Sequence, residues 1–579
     1  MAPRQSRRVA DANASKASEA AAAAKVAKST STKAPKANTA AKRTEPKKAA
    51  PAKPKAAPKN TKAASAKEKP VAKTTKTTKL APAKGKAATN GNTETAARPT
   101  AKYKKVVINP PRYTKPLNVY VFGEGSSGEL GLGASRKAID VKRPRLNDTL
   151  VKEKVVRIAT GGMHCVALTL DNRILTWGVN DNGALGRDTT YEDVKMVDID
   201  ENGDPKEPDS DAESEESDSG LNPLESTPTA IDSAWFPEDT VFVDIAAGDS
   251  CSFALTDEGY VYGWGCFRKN EGVLGFTKDI KTARVPMWIE EVKKVKEIVC
   301  GTNHVLALDA SNRVWAWGSG QQNQLARRMT ERSMLESVVP THVGFKDSVV
   351  KKASKKMVAI ASGDYHGFAI GSDGHVWSWG VNNYGETGHP DGAGSDNASI
   401  STATVVQSLE GIDVEMIKGG SHHNLVVTKD GRCLVWGRTE GSVLGLPIDQ
   451  LPEEDVLTDD AGRRKILLKP TAIPKMKDIV YAACGPDHNI AIDSDGKSYS
   501  WGFSATYQTG QGTDDDIEIP TLINNTAVRE KKLTWAGCGG QYSVLASESE
   551  GPTETHFSSF KSNGANVEQS EPTEVMDAN

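Results

Sequence analysis

The chain contains 579 residues, and its 73 Lys and Arg nearly balance its 75 Asp and Glu. No segment has the length and apolar character of a transmembrane helix or the layout of a signal peptide, so we expect neither, and no membrane partner. The seven cysteines are scattered without a C-x-x-C pair, which argues against a zinc site or a disulfide framework and fits a reducing compartment.

The balanced charge conceals two parts of opposite sign. Residues 1–100 carry 24 basic and 5 acidic side chains, which leaves 49 basic and 70 acidic side chains for the rest. These first hundred residues contain no aromatic side chain, so they cannot bury enough surface to offset the entropy of ordering. We therefore interpret residues 1–110 as a disordered basic arm.

A cationic arm suits a polyanion, because binding to phosphates releases counterions and needs no fixed structure. Its basic pairs also fit a nuclear import signal. The residues assigned to import and to DNA or chromatin binding are Lys42, Arg43, Lys47 and Lys48. Two alternatives stay open: a merely solvating tail, and an anionic-membrane arm, which would lack an apolar anchor.

The core, residues 111–549, is dominated by a repeat. A Gly is followed three residues later by a His and, thirteen residues after that His, by Trp-Gly. Successive tryptophans of the motif lie 53 to 87 residues apart, so a rigid unit is joined by variable loops, as in repeat architectures. The instances begin at Gly161, Gly301, Gly363, Gly420 and Gly485, and a sixth, at Gly248, has Cys251 in the His slot.

Each unit predicts a β-hairpin between the His and the Trp-Gly. The stretches 369–380, 426–437 and 491–502 hold Asp-Gly between two apolar runs, a strong hairpin signal in which both central turn residues are expected to need positive φ. No long segment has an apolar period of 3.6 residues, so the core is predicted to be nearly all β. Short hairpins at this spacing indicate four-stranded blades around an axis.

The two ends of the core give the number of blades. Residues 118–133 hold the second half of a unit, with Phe122-Gly123 in the Trp-Gly slot, and residues 534–549 hold the first half, from Gly539 to Tyr542. Because the halves complement each other, the predicted fold is an all-β, seven-bladed β-propeller with about four strands per blade. The N- and C-terminal strands share one blade and close the ring. Residues 550–579 are expected to form a polar tail.

The repeated histidines invite a catalytic or metal-binding interpretation. A residue in the same slot of blade after blade, however, most simply satisfies the same local hydrogen bonds. We interpret the tryptophans as packing anchors and the glycines as positions of close backbone approach. Function is therefore expected where the units differ.

Three segments depart from the repeat. Residues 264–276 replace the usual turn after Trp-Gly with a charged stretch flanked by apolar residues. Residues 188–238 make the longest insertion, in which eleven acidic residues within 198–218 predict a disordered loop. Residues 345–358 hold a cluster of lysines, namely Lys346, Lys351, Lys352, Lys355 and Lys356.

The units resemble the regulator of chromosome condensation family. The resemblance covers about residues 118–549 and is carried by GEGSSGELGLG (123–133), GVNDNGALGRD (178–188), AAGDSCSFALTDEG (246–259) and WGCFRKNEGVLGF (264–276). It implies guanine-nucleotide exchange on the nuclear GTPase Ran, without covalent chemistry. Nucleotide and magnesium would belong to the partner, so we expect no cofactor and no small-molecule substrate of the chain's own.

The resemblance assigns Cys266–Leu274 to a β-wedge driven into the GTPase beside its phosphate-binding loop and magnesium site. Three positions depart from the family pattern: Asn303 stands where an acidic residue is expected, Tyr542 where a His is, and Ser126 where an Asp is. The residues that it assigns to GTPase contact are Asp249, Cys266, Phe267, Arg268, Lys269, Asn270, His164, Asn303, Arg332 and His423.

The lysine loop at 345–358 falls where the family grips the acidic patch of the nucleosome with arginine. Lysine keeps the charge but lacks the bidentate fork, so the arm is expected to carry more of the chromatin affinity. The resemblance implies a nuclear, chromatin-bound protein with histones, DNA and an import receptor as partners. Two other functions stay open: a scaffold in chromatin or ubiquitin pathways, and a propeller enzyme, for which no carboxylate cluster or metal set is visible.

Overall fold

The computed structural model describes residues 105–191, 219–347, 350 and 353–549. Most of the basic arm, the acidic run at 198–218 and the tail at 550–579 lie outside the described residues, and the predictions for them stay predictions. In the part that the structure describes, no helix is long and apolar enough to cross a membrane.

The architecture is the predicted seven-bladed β-propeller, built from seven antiparallel sheets. The chain begins in blade 7 with β1 (Leu117–Glu124) and β2 (Asp140–Leu146). Blade 1 contains β3 (Val155–Thr160), β4 (His164–Thr169), β5 (Ile174–Gly178) and β6 (Thr229–Ala230). Blade 2 contains β7 (Phe242–Ala247), β8 (Cys251–Thr256) and β9 (Val261–Gly265), then a separate ribbon of β10 (Phe267–Lys269) and β11 (Gly272–Gly275), and then β12 (Ala283–Trp288).

The remaining blades follow in chain order. Blade 3 contains β13 (Val295–Cys300), β14 (His304–Asp309), β15 (Val314–Gly318) and β16 (Thr341–His342); blade 4 contains β17 (Met357–Ser362), β18 (His366–Gly371), β19 (Val376–Val381) and β20 (Ser399–Val405). Blade 5 contains β21 (Val414–Gly419), β22 (His423–Thr428), β23 (Cys433–Arg438), β24 (Val456–Thr458) and β25 (Arg464–Ala472). Blade 6 contains β26 (Ile479–Cys484), β27 (His488–Asp493), β28 (Ser498–Gly502) and β29 (Ile517–Leu522), and blade 7 ends with β30 (Leu533–Cys538) and β31 (Tyr542–Glu548).

Within the described residues, helical structure is confined to short pieces between strands. The α-helices are α1 (Asp148–Lys152) and α2 (Pro223–Ser226), and the 3₁₀ helices are Arg136–Ala138, Ser233–Trp235, Glu331–Val338, Gln407–Leu409, Glu440–Ser442, Ile448–Gln450 and Glu453–Asp455. Blade 5 exceeds the expected four strands, because β24 pairs along the outer side of β25. The segment 188–238 is not only an insertion, since its later part supplies α2 and β6, the outermost strand of blade 1.

The hairpins lie where the sequence predicts them, but their turns differ from the expected type. Asn172 has φ of 67° and Gly374 has φ of 87°, whereas the residue before each is absent from the positive-φ set. The N–H of Asn172 donates to the carbonyl of Thr169, and the N–H of Thr169 donates to the carbonyl of Arg173. This is a three-residue loop with one left-handed residue, so only that residue requires positive φ.

Blade 7 is assembled from both ends of the chain, as predicted. Its strand order is β2-β1-β31-β30, and β1 pairs with β31 over seven consecutive residue pairs, from Leu117 opposite Glu548 to Gly123 opposite Tyr542. Hydrogen bonds of this one strand pair thus close the ring without a covalent link.

The repeated His bridges neighbouring blades. The Nε2 of His366 in blade 4 is 2.6 Å from the Oδ1 of Asn424 in blade 5, and Asn424 donates through its Nδ2 to the carbonyl of Glu386 at 2.8 Å. The indole of Trp436 donates to the same carbonyl at 3.3 Å. Equivalent His contacts at 2.7–3.1 Å join His164 to Ser252, His304 to Ser362, His423 to Asn489 and His488 to Ser543.

The repeated Gly leaves room for that His. A Cβ added at Gly363 would lie 2.2 Å from Cε1 of His366, so no other residue fits there without movement. The Gly, His and Trp of the motif therefore form one seam unit between blades, which confirms the structural interpretation of the repeat.

The ring has two faces that carry different loops. Inner strands such as β7 run towards the Gly-x-x-His loops, and third strands such as β9 run the same way because two antiparallel steps restore direction. The loops after Trp-Gly, including the β10–β11 ribbon, therefore share the face of the Gly-x-x-His loops, which we call the ribbon face. The hairpin turns and the loops between blades, including 343–356, belong to the opposite face, which we call the arm face.

Residues 105–116, the N-terminal strap, are bound to the arm face. Lys105 forms an ion pair with Asp257 at 3.0 Å, and the buried Asn109 donates its amide to the carbonyls of Thr256 and Val295. Further along, the guanidinium of Arg157 lies over the ring of Tyr113, 4.9 Å from its centroid. The strap is therefore held against the arm face along its length.

Candidate functional site

The ribbon of β10 and β11 is the clearest interruption of the repeat. Its register places Phe267 opposite Gly275 and Lys269 opposite Gly272, with an irregularity between Phe267 and Arg268. Gly272 has φ of 120° and Gly275 has φ of 146°, conformations that side chains rarely adopt. These two glycines allow the chain to turn and return within nine residues.

The base of the ribbon is anchored in the core. Phe267 is fully buried, and its ring stacks with Phe253 and Phe276 at centroid distances of 6.3 and 6.0 Å. The N–H of Cys266 donates to the carbonyl of Ser250 at 2.9 Å, and burial raises the pKa of the Cys266 thiol to about 11. Cys266 and Phe267 therefore fix the ribbon rather than present side chains on its surface.

The tip of the ribbon is exposed. Arg268 and Asn270 are exposed, whereas Lys269 is partly covered and forms ion pairs with Glu331 at 2.9 Å and Glu271 at 3.1 Å. Of the wedge residues predicted to contact the GTPase, Arg268 and Asn270 are thus the exposed ones, and Glu271 beside them is exposed as well.

Asp249 lies beside the ribbon on the Gly-x-x-His loop of blade 2. Its backbone N–H donates to the carbonyl of Thr302 at 2.8 Å, and its carboxylate accepts from the hydroxyl of Ser250 at 3.3 Å. Burial raises the pKa of the Asp249 carboxyl, and the neighbouring charge of Arg268 opposes that rise. The structure therefore brings the predicted Asp249 and Arg268 into one electrostatic site.

The predicted contacts Asn303 and Arg332 come from blade 3. Asn303 accepts a hydrogen bond from the N–H of Arg268 at 2.8 Å, and Arg332 is exposed on the 3₁₀ helix Glu331–Val338. Ser126 donates to Glu124 at 2.6 Å. The buried Tyr542 hydroxyl lies 3.0 Å from the carbonyl of Gly161 and 2.9 Å from that of His164, so this Tyr takes the inter-blade place of the His.

His164 and His423 are not on the surface that the other predicted residues share. Each is 1 % exposed and lies in a seam, and burial lowers the pKa of each to about 4. Each follows a Gly-x-x-His loop and contacts the next blade, His164 through Ser252 and His423 through Asn489, so the role of both is structural.

The two variable residues of each Gly-x-x-His loop lie on the ribbon face, and apart from Asp249 and Asn303 they were not among the predicted contacts. Asp364 accepts from the hydroxyl of Ser421 in the next blade, and Nδ1 of His422 is 2.7 Å from the carboxylate of the buried Glu386. Asp487 forms an ion pair with Arg438. Their signal was present in the motif itself, because the invariant Gly and His are buried and the two positions between them are free to vary.

The central channel is lined by the inner strands and encloses a cavity of about 560 Å³. Arg157 and Asp244 form an ion pair at 2.9 Å, and burial raises the pKa of Glu297 to about 7. Across the described residues, no group of three or more His, Cys, Asp or Glu is placed to hold a metal ion.

Three lysines of the predicted chromatin loop lie on the arm face. Lys346, Lys355 and Lys356 are exposed there, on the face to which the strap is also bound. The other predicted chromatin contacts, Lys351, Lys352, Lys42, Arg43, Lys47 and Lys48, lie outside the described residues.

The fold and the site define the class of protein: a seven-bladed β-propeller whose second blade is interrupted by an exposed ribbon. The profile of the RCC1-like domain matches residues 118–545. The guanine nucleotide exchange factor SRM1 of Saccharomyces cerevisiae is 38% identical over 442 residues, which cover 74% of this chain and 87% of that protein. This chain belongs to the RCC1-like family.

Two solved structures are similar to it. One is Prp20p from Saccharomyces cerevisiae, described together with its binding properties to Gsp1p and histones; it has a TM-score of 0.66 and 36% identity, over 75% of this chain and 93% of that protein. The other is yeast RCC1 (Prp20) with Kap60 bound, with a TM-score of 0.67 and 34% identity, over 79% of this chain and 96% of that protein.

Proposed function

We propose that this protein is a guanine-nucleotide exchange factor for the GTPase Ran and that it acts by inserting the β10–β11 ribbon into the GTPase. The observation that carries the proposal is the ribbon itself, rigid at its base and exposed at Arg268 and Asn270, in a chain 38% identical to a protein named as an exchange factor. The binding of Prp20p to Gsp1p (Ran) supports the choice of partner.

Exchange needs no covalent step on this chain. A ribbon that occupies the region beside the phosphate-binding loop of the GTPase competes with nucleotide and magnesium, which the GTPase holds. Because the coupling is reciprocal, the exchanger weakens nucleotide binding by the same factor by which nucleotide weakens binding of the exchanger. The chain must therefore hold the ribbon firmly enough for its insertion to displace phosphate contacts, and the buried Phe267 stack supplies that firmness.

Charge on the ribbon face supports docking of a basic GTPase surface. Asp249, Asp364 and Asp487 occupy the variable positions of three Gly-x-x-His loops on this face. Acidic groups arranged on one face raise the rate of encounter with a basic partner and make that rate sensitive to salt.

The test is release of labelled GDP from Ran by residues 105–549, a fragment that keeps the strap and all seven sheets. We expect catalytic acceleration at nanomolar to micromolar protein, with a rate that saturates as the Ran concentration rises. A release rate equal to that of Ran alone would refute the proposal and favour an interaction scaffold.

We propose further that the arm and the lysine loop hold the protein on chromatin, so that Ran-GTP is produced in the nucleus. The binding of Prp20p to histones and the complex of Kap60 with yeast RCC1 support histone and import-receptor partners. Since Lys346, Lys355 and Lys356 lie on the arm face, chromatin and Ran would use opposite faces of the ring. Full-length protein should bind DNA with a steep salt dependence that residues 105–549 lack, and equal nucleosome affinity of the two would contradict the role of the arm.

A further inference from the structure

We propose that blade 3 holds the two-stranded ribbon in place, as a third strand would, and that Gln321 is a positioning residue for exchange. This inference rests on the proposed function and extends it to a residue outside the ribbon. Gln321 lies in the loop after β15, where it belongs to a different blade from the one that supplies β10 and β11.

A two-stranded ribbon is marginal by itself in water, so something must fix its direction. The N–H groups of Arg268, on β10, and of Asn270, one residue beyond the end of β10, both point towards blade 3. The first donates to Oδ1 of Asn303 at 2.8 Å and the second to Oε1 of Gln321 at 2.9 Å. Two side chains of blade 3 thus take the place of a neighbouring strand.

Gln321 also reaches the other side of the tip. Its Nε2 donates to the carboxylate of Glu271 at 3.4 Å, so one amide contacts the residues on both sides of the Asn270–Glu271 peptide. This is the point at which the ribbon reverses, and movement here is transferred to the exposed Arg268 and Asn270.

The 3₁₀ helix Glu331–Val338 of blade 3 supports the ribbon along its length. Glu331 pairs with Lys269, Glu336 pairs with Lys278 just after the ribbon, and a Cβ built at Gly275 would be 3.8 Å from the Leu335 side chain. Exposed ion pairs are weak individually. The backbone hydrogen bonds to Asn303 and Gln321 therefore define the geometry, and the helix adds lateral contact.

The departure at Asn303 is explained by the same contacts. The side chain in this slot accepts a backbone N–H, and an amide oxygen serves that purpose as a carboxylate would. The lost charge at Asn303 thus leaves the support of the ribbon unchanged.

The first test uses the exchanger without Ran. Hydrogen–deuterium exchange of the peptide spanning 266–276 should be at least about fivefold faster in Gln321→Met, which keeps the side-chain length and removes the acceptor. Gln321→Glu combined with Glu271→Gln keeps an acceptor for the N–H of Asn270 and a donor–acceptor pair between positions 271 and 321, so it should restore the protection. The matched control is Gln407→Met on the arm face, which should exchange like the unsubstituted protein.

The second test uses labelled GDP release from Ran. Gln321→Met should lower the maximal release rate about threefold to tenfold while the half-saturating Ran concentration changes less than about twofold, because docking by the rest of the face persists. Gln321→Glu combined with Glu271→Gln should recover most of the rate. An unchanged maximal rate in Gln321→Met, a loss confined to the half-saturating Ran concentration, or failure of the combined Gln321→Glu and Glu271→Gln variant to recover the rate would each overturn the proposal.

The two tests distinguish this inference from the proposed function. Exchange of deuterium at 266–276 reports on the ribbon whether or not Ran is the partner. Absence of any GDP release by the unsubstituted protein would refute the Ran exchange function alone, whereas unchanged protection in Gln321→Met would refute the positioning role alone.

Discussion

The loops that follow Trp-Gly in blades 1 and 2 start from the same place and take opposite courses. In blade 1, Asn180 accepts from the N–H of Leu185 at 3.0 Å and donates to the carbonyl of Arg187 at 2.9 Å, which folds the loop back onto the ring. In blade 2, the residue in the same slot, three after the Trp, is Phe267. Its ring cannot cap a loop, so it packs into the core and the chain continues outward as the ribbon.

The folded-back loop serves the seam. It delivers the carbonyl of Ala184 to the indole of Trp264 at 2.8 Å and to the hydroxyl of Ser252 at 2.9 Å. The ribbon instead places exposed polar groups on the ribbon face, while its buried Phe267 stacks on Phe253, which makes an edge contact with Trp317 at 5.9 Å. The two loops thus differ at the third residue after the Trp. With Asn180 there, the loop of blade 1 stabilises the ring, and with Phe267 there, the loop of blade 2 is free to enter a partner.

Acidification is expected to have the largest effect, because it should destabilise the seams between blades. Burial lowers the pKa of five seam histidines, so their neutral forms stabilise the fold fully above pH 6.5, and that stability is lost as the pH falls towards 4. Four carboxyls with raised pKa values, Glu129, Glu225, Asp249 and Glu297, act in the opposite direction, but only the pKa values of Glu129 and Glu297 reach about 7. The five are His164, His304, His366, His423 and His488.

The measurement is the unfolding midpoint of residues 105–549 between pH 7 and pH 4.5. We expect a progressive fall, and a midpoint that stayed level or rose would show that the histidines do not govern the seam.

Removing the ribbon should have the largest effect on exchange. Because Phe267 and Gly275 are paired in register, a three-residue Gly-Ser-Gly link can replace residues 268–274 without opening the ring. The maximal rate of GDP release from Ran should fall about a hundredfold, as for other elements that dominate an interface. The unfolding midpoint should change little, since the replaced residues lie outside the seven sheets, and a large drop in the midpoint would invalidate the comparison.

A substitution that disrupts the folded-back loop of blade 1 should lower stability and leave exchange unchanged. Asn180→Ala leaves the N–H of Leu185 and the carbonyl of Arg187 without their partner and should destabilise the protein by about 2 kcal/mol. Denaturant unfolding measures the cost. The folded variant should release GDP from Ran at the unsubstituted rate, and a specific loss of exchange would blur the distinction between the two loops.

The smallest effect is expected from a single charge on the ribbon face. Asp249→Asn should reduce GDP release about fivefold to tenfold, mainly through a higher half-saturating Ran concentration, and high salt should narrow the difference. Asp495→Asn, an exposed carboxylate on a hairpin turn of the arm face, is the matched control. Equal effects of the two substitutions would mean that charge acts through the whole protein rather than at this site.

The ring was predictable because its determinants are local and repeated. The fixed interval from His to Trp-Gly set the hairpins, and the complementary halves at Phe122 and Tyr542 gave both the number of blades and the closure. The burial of the histidines followed from their recurrence. The predicted turn type is wrong, because Asp-Gly predicts a two-residue turn whereas the hydrogen bonds define a three-residue loop.

The support of the ribbon could not be predicted, because it depends on contacts between blades. Gln321 is about fifty residues from Asn270, and no periodic pattern marks it. The strap could not be predicted for the same reason, since Asn109 is recognised only through distant partners. The fifth strand of blade 5 pairs locally with β25 and lies outside the four-stranded pattern of the repeat. The assignment of His164 and His423 to a contact surface came from resemblance, which identifies a position and not its exposure.

The central claim is that the ribbon couples this protein to the nucleotide state of Ran. The most direct measurement compares the affinity of the protein for nucleotide-free Ran with its affinity for GDP-bound Ran, by titration calorimetry, before and after replacement of residues 268–274. The unsubstituted protein should prefer nucleotide-free Ran by several orders of magnitude, and the replacement should reduce that preference to near unity because the coupling is lost. An undiminished preference without the ribbon would contradict the account.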